Sequence, residues 1–131
     1  YSAYNFSKKG GTNVMGMYQK DYYVNHPSFI TFEKFINEWL IKQDLSKIDG
    51  VFRPQYLYIF DDNDQLLVNN FYKLEEIRHH VDEISNKLGK TFSLGFHNSS
   101  KKKAINFSDD VKKLIYKIYI KDFELFNYSI K

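Results

Sequence analysis

The sequence predicts a mostly helical chain of the α/β class. Apolar residues recur at spacings of three and four in three separate stretches, the mark of amphipathic helices. One stretch alone, residues 55–72, carries aromatic and β-branched residues on both sides of a polar turn. The length of 131 residues sets a single domain, 1–131.

Each element can be justified in order. Residues 1–9 read as a short helix, or the tail of one, closed by Gly10-Gly11. Residues 10–28 show no sustained period and read as a long loop, of the kind that often carries function. Thr31 can cap the next helix, with Glu33 in its first turn near the positive end of the helix dipole. Phe32, Phe35, Ile36, Trp39 and Leu40 then form one apolar face, and the helix should stop near Gln43.

"QYLYIF" and "QLLVNNFY" flank "DDND" and read as a hairpin or two extended segments, with Pro54 at the start of the first because it cannot donate to a ladder. Leu74, Ile77, Val81, Ile84 and Leu88 define a third helix closed by Gly89. Residues 90–107 read as a loop. The last helix starts at Ser108, with Asp109 and Asp110 in its first turn. It buries Val111, Leu114, Ile115, Ile118, Tyr119, Leu125 and Phe126. Asp122 falls inside that apolar arc, where a carboxylate is costly unless it is paired. It is read as a tether to an Arg, a Tyr or a backbone amide, with a catalytic carboxylate or early fraying of the helix as alternatives.

Composition bounds the chemistry. The net charge of +3 permits an anionic ligand without demanding nucleic acid, so no nucleic-acid partner is expected. No run approaches the roughly 20 apolar residues of a membrane span. The absence of cysteine excludes disulfides and thiolate zinc sites and leans towards a bacterial cytoplasmic setting.

The candidate chemical groups are few. His79 and His80 are adjacent on a helix, so they diverge by about 100° and make no metal pair; no metal site is expected. His26 and His97 sit in loops, where a histidine can act as a general base or be a plain surface residue. Asn98, Ser99 and Ser100 offer short donors directly before Lys101, Lys102 and Lys103, which suits an oxyanion, although such a run is also an ordinary solvated loop. Ser2 near a helix start can cap the helix or contact a phosphate. No phosphate-binding glycine loop, zinc-protease helix or nucleophile elbow is present.

In order along the chain, "SAYNF", "FEKFINEW", "PQYLYIF", "VNNFYKLEEI", "NSS" and "YIKDFELFNY" resemble the C-terminal part of the carbohydrate sulfotransferases of the family-2 type. The resemblance covers essentially the whole chain. It implies a C-terminal fragment of a three-layer fold, like that of the P-loop kinases, with the N-terminal donor-loop half absent. The activity implied is transfer of a sulfuryl group from 3′-phosphoadenylyl sulfate to a hydroxyl of a carbohydrate-like acceptor, with no metal, and with this chain alone inactive.

On that resemblance Ser2 would contact the donor's 3′-phosphate, and Asn98, Ser99, Ser100 and Lys101 would lie near the nucleotide. Arg53, Gln55 and His26 would face the acceptor, and no catalytic residue lies in this chain. Apolar surface left by the missing sheet would favour self-association. The chain departs from the family pattern at Val51, at Asn69-Asn70-Phe71-Tyr72 and at Phe96, which leaves the acceptor and the sulfated position open. The alternative expectation is a stand-alone, non-catalytic helical module that binds an anion or a protein.

Overall fold

The computed structural model describes residues 1–10, 20–95 and 105–130. These residues are mostly helical, and no strand occurs among them. The chain divides into two compact units, Tyr1–Gln65 with Asn106–Lys131, and Leu66–Ile105.

The first unit is built around aromatic rings. Helix α1 (Ser2–Lys8) ends as expected, with Gly10 at φ +85°, a conformation that costs glycine little. Part of the stretch read as a loop is helical: α2 (Lys20–Asn25) and a 3-10 turn (Pro27–Phe29). Its shortness hid it, since one and a half turns leave no period to read.

Helix α3 (Phe32–Lys34) is capped by Thr31, whose Oγ1 accepts the Lys34 N–H at 3.2 Å. It runs on as a π turn (Phe35–Trp39) and a 3-10 turn (Leu40–Lys42), and Gln43 leaves the helical region as anticipated. Within the π turn Phe35 and Trp39 lie stacked, with centroids 5.4 Å apart. Tyr4, Tyr23, Phe29, Phe35, Trp39 and Phe52 then close into one buried cluster with Ile36, Leu40 and Val111. Rings meeting edge-to-face, such as Tyr23 on Trp39 at 89°, add about 0.5–1.5 kcal/mol per pair beyond area burial.

No hairpin ladder forms: only an isolated bridge is present at Phe60, beside the Asp61 N–H that donates to the Gln65 carbonyl at 2.9 Å. "QYLY" is a 3-10 turn (Gln55–Tyr58). Pro54 stands at its N-cap, and the Asp122 carboxylate accepts the N–H groups of Gln55 and Tyr56, both at 2.9 Å. Those two donors would otherwise have been free for a ladder. The "DDND" turn is held by Asp61, whose Oδ1 accepts from Asn63 at 2.9 Å and Gln65 at 2.7 Å.

The last helix is two helices. Ser108 caps α5 (Asp109–Ile118) by accepting the Val111 N–H at 3.4 Å. The chain breaks at Tyr119 (φ −109°, ψ 28°) and resumes as α6 (Ile120–Leu125). Tyr119 donates its hydroxyl to the Phe52 carbonyl at 2.8 Å. Together Tyr119 and Asp122 tie the C-terminal helices to the segment 52–56.

The second unit contains a 3-10 turn (Ile77–His80) leading into α4 (Val81–Leu88), closed by Gly89 at φ +63°. Leu74, expected on that helix, lies ahead of it and is exposed. None of the described residues of this unit is buried.

Candidate functional site

The expected site residues fall in three places. Arg53 and Gln55 flank Pro54 at the turn held by Asp122. The Gln55 backbone N–H is taken up by Asp122, while its side chain is exposed. Arg53 is half-buried: its Nη2 donates to the Ile48 carbonyl at 3.0 Å and its guanidinium lies 5.9 Å from the centre of the Tyr58 ring. Its Nε is buried and has no hydrogen-bond partner among the described residues. Tyr58 reaches back over Gly50, where a Cβ would stand only 3.1 Å from the Tyr58 hydroxyl. A side chain at residue 50 would require that hydroxyl to give by a few tenths of an ångström.

His26 belongs to a second cluster. Its Nδ1 accepts the Ser28 N–H at 3.2 Å, capping the Pro27–Phe29 turn. Its ring lies 4.7 Å from Tyr22 and 5.9 Å from Phe29. Ser28 is buried and donates its hydroxyl to Glu38 at 3.2 Å. Tyr22, half exposed, accepts the Trp39 indole N–H at 3.1 Å. A neutral imidazole that accepts at Nδ1 carries its proton on Nε2, so the Nε2 of His26 is a donor. It could serve as a general base only by giving up its cap.

Ser2 makes the third place. It is exposed at the first position of the seven-residue α1, and its hydroxyl is in no hydrogen bond among the described residues. Asn98, Ser99, Ser100 and Lys101 lie outside the described residues, as do Lys102, Lys103, His97 and Phe96. Among the described residues no hydrogen bond or ring contact joins Ser2, His26 and the Arg53–Gln55 turn to one another directly.

Electrostatics single out buried phenols. Burial pushes the Tyr119 hydroxyl up to about 12, helped by the nearby Asp122 charge. Tyr23 is raised further, by burial first and then by its 2.5 Å hydrogen bond to Asp49. Both stay protonated at neutral pH and serve as donors. Among the described residues no group of three or more His, Asp or Glu side chains could hold a metal ion.

The sequence singles out Asp122 and puts Tyr119 on the buried face, but it gives no sign of the Tyr119 hydrogen bond or of Tyr22 and Asp49. Asp122 stood out because it broke an apolar stripe; the tyrosines did not, because 11 tyrosines in one chain give no contrast. Of the residues where the chain departs from the sulfotransferase pattern, Val51 packs at the edge of the aromatic core. Tyr72 donates to Glu83 at 2.9 Å.

No helix of the described residues is long and apolar enough to cross a membrane. No protein-family description, curated protein or solved structure matches the chain.

Proposed function

We propose that this chain forms part of a sulfotransferase that moves a sulfuryl group from 3′-phosphoadenylyl sulfate to a hydroxyl of a carbohydrate-like acceptor. One observation carries the reading. "PQYLYIF" and "YIKDFELFNY" were singled out as separate motifs, and Asp122 of the second accepts both N–H groups that open the first, 66 and 67 residues away. That contact supports reading the two motifs as parts of one structural unit.

In this reading Arg53 and Gln55 stand at the Pro54 turn on the acceptor side, with the exposed Gln55 side chain the accessible polar group. The exposed Ser2 hydroxyl fits a contact to the donor's 3′-phosphate. In-line transfer needs a base for the acceptor hydroxyl and cations for the charge that develops on the leaving group. In this reading the usual catalytic base lies outside this chain. The resemblance puts the loop that holds the donor's phosphates in the absent N-terminal half, and no Walker-type glycine loop occurs in these 131 residues. The chain alone is therefore inactive in this proposal.

The test is calorimetric titration of adenosine 3′,5′-bisphosphate into the full-length protein that carries this chain. Ser2→Ala should weaken binding about tenfold, the loss of one hydrogen bond to a charged group. Neutralising Lys101, Lys102 and Lys103 together should weaken it further. Unchanged binding in both variants rejects the donor-site assignment.

A second reading, a non-catalytic helical binding module, draws on the closed aromatic core of the first unit. It is favoured if the full-length protein binds no nucleotide at all.

A further inference from the structure

We infer that Tyr22, His26 and Glu38 form a subsite for an uncharged sugar ring. The inference rests on the proposed carbohydrate acceptor and names its chemical class: neutral and rich in hydroxyls.

The argument starts from where hydrogens point. Trp39 donates its indole N–H to the Tyr22 oxygen at 3.1 Å, so the Tyr22 O–H is left to donate elsewhere. Ser28 donates its N–H to His26 Nδ1 at 3.2 Å, which places the imidazole proton on Nε2. Neither hydrogen is used among the described residues. The two ring centroids lie 4.7 Å apart, so both donors are carried by one aromatic pair.

Glu38 adds the opposite function. Its Oε2 accepts from the Ser28 hydroxyl at 3.2 Å, which places the carboxylate beside the same Ser28 that holds His26. The exposed Glu38 has its other oxygen uncommitted among the described residues. The cluster therefore offers two donors, one charged acceptor and a Tyr22 ring 44% exposed.

A sugar hydroxyl both accepts and donates, and a pyranose carries apolar C–H faces that pack on an aromatic ring. An oxyanion would use the two donors but meet the Glu38 charge, with no cation among these groups to offset it. The chemistry thus selects against uronates and sulfated sugars at this position.

The experiment uses the full-length protein that carries this chain, isotope-labelled at histidine and tyrosine. Imidazole nitrogen shifts should show a pyridine-like Nδ1 and a pyrrole-like Nε2 for His26; the reverse pattern overturns the inference. N-acetyllactosamine, lactose and mannobiose are then titrated beside a hyaluronan tetrasaccharide, which carries uronates. At least one neutral sugar should shift the His26 and Tyr22 signals, and should bind at least fivefold more tightly than the tetrasaccharide.

Tyr22→Phe keeps the ring but removes both the donor and the acceptor of the Trp39 indole N–H, and should weaken that binding about five- to tenfold, with thermal melting read alongside. Glu38→Gln, which is exposed, should weaken it with unchanged thermal melting and so guards against a folding artefact. Tighter binding of the tetrasaccharide, no shift with any neutral sugar, or full binding in both variants overturns the subsite. Sugar binding here without nucleotide binding in the full-length protein faults the sulfotransferase reading alone. Nucleotide binding without sugar binding faults the subsite alone.

Discussion

Asp122 illustrates how one side chain can decide the structure of a distant segment. Its two oxygens occupy the first donors of the Gln55–Tyr58 turn. Asp122→Ala leaves both N–H groups without that partner and should cost about 2 kcal/mol, read by urea denaturation. Asp122→Asn keeps one acceptor oxygen and should cost less. Tyr119 acts beside it through the Phe52 carbonyl, so Tyr119→Phe should cost about 1 kcal/mol by the same measurement. The Tyr119 phenol is raised from its ordinary value of 10.0 to about 12. Its stabilisation is therefore complete below pH 10 and lost as pH rises through 12, which an ultraviolet difference titration can follow. The anomaly at Asp122 was legible in the sequence, because a carboxylate on an apolar face demands a partner. The partner was not legible, because backbone amides far along the chain carry no side-chain signature.

Among the elements, α4 is organised by a surface knot. Glu83 accepts from Lys87 at 2.7 Å and from Tyr72 at 2.9 Å, and lies 3.2 Å from His80 Nδ1. These partners, Lys87 first, hold its carboxyl down from the ordinary 4.5 to about 2. A depressed carboxylate stabilises above its unfolded value and stops doing so as pH falls through its folded one. Amide protection in α4 should therefore fall modestly as pH drops from 4.5 to 2, since the knot is exposed to solvent, and Glu83→Gln should remove that dependence.

Helix starts and stops at Thr31, Ser108 and Gly89 were readable because capping is local chemistry. The helix break at Tyr119 was not, since the apolar period runs through it and the hydrogen bond to Phe52 that accompanies it is tertiary. The hairpin was misread for a related reason. Aromatic content suggested strands, while Pro54 and Asp122 secured a turn.

For the whole molecule, the two units differ in burial. The first holds a ring-packed interior; no described residue of the second is buried. Amides of the Phe35–Trp39 turn should exchange with solvent orders of magnitude more slowly than those of α4, measured by hydrogen exchange and mass spectrometry. Apolar side chains also face solvent: Leu74 is 83% exposed, and Leu67 and Leu88 are 65% exposed each. In the first unit a groove of about 340 Å³ is lined by Leu40, Ile41, Leu45, Leu114 and Ile118, with Gln43 and Lys117. Such surface should make the isolated chain associate with rising concentration, seen by sedimentation, and Leu74→Lys with Leu88→Lys should reduce it. The helical character of the fold was legible from periodicity. The aromatic interior was legible only as material, because composition does not say which rings meet.

The clasp between α6 and the segment at Pro54 has a kinetic corollary. Joining residues 66 and 67 positions apart requires closing a long stretch of chain, an entropic cost that delays contact formation. The ring cluster contributed by residues 23–39 joins positions much closer together and is the natural nucleus. Breaking the clasp should then accelerate unfolding while leaving the refolding rate nearly untouched, a pattern that a stopped-flow chevron of Asp122→Ala would display.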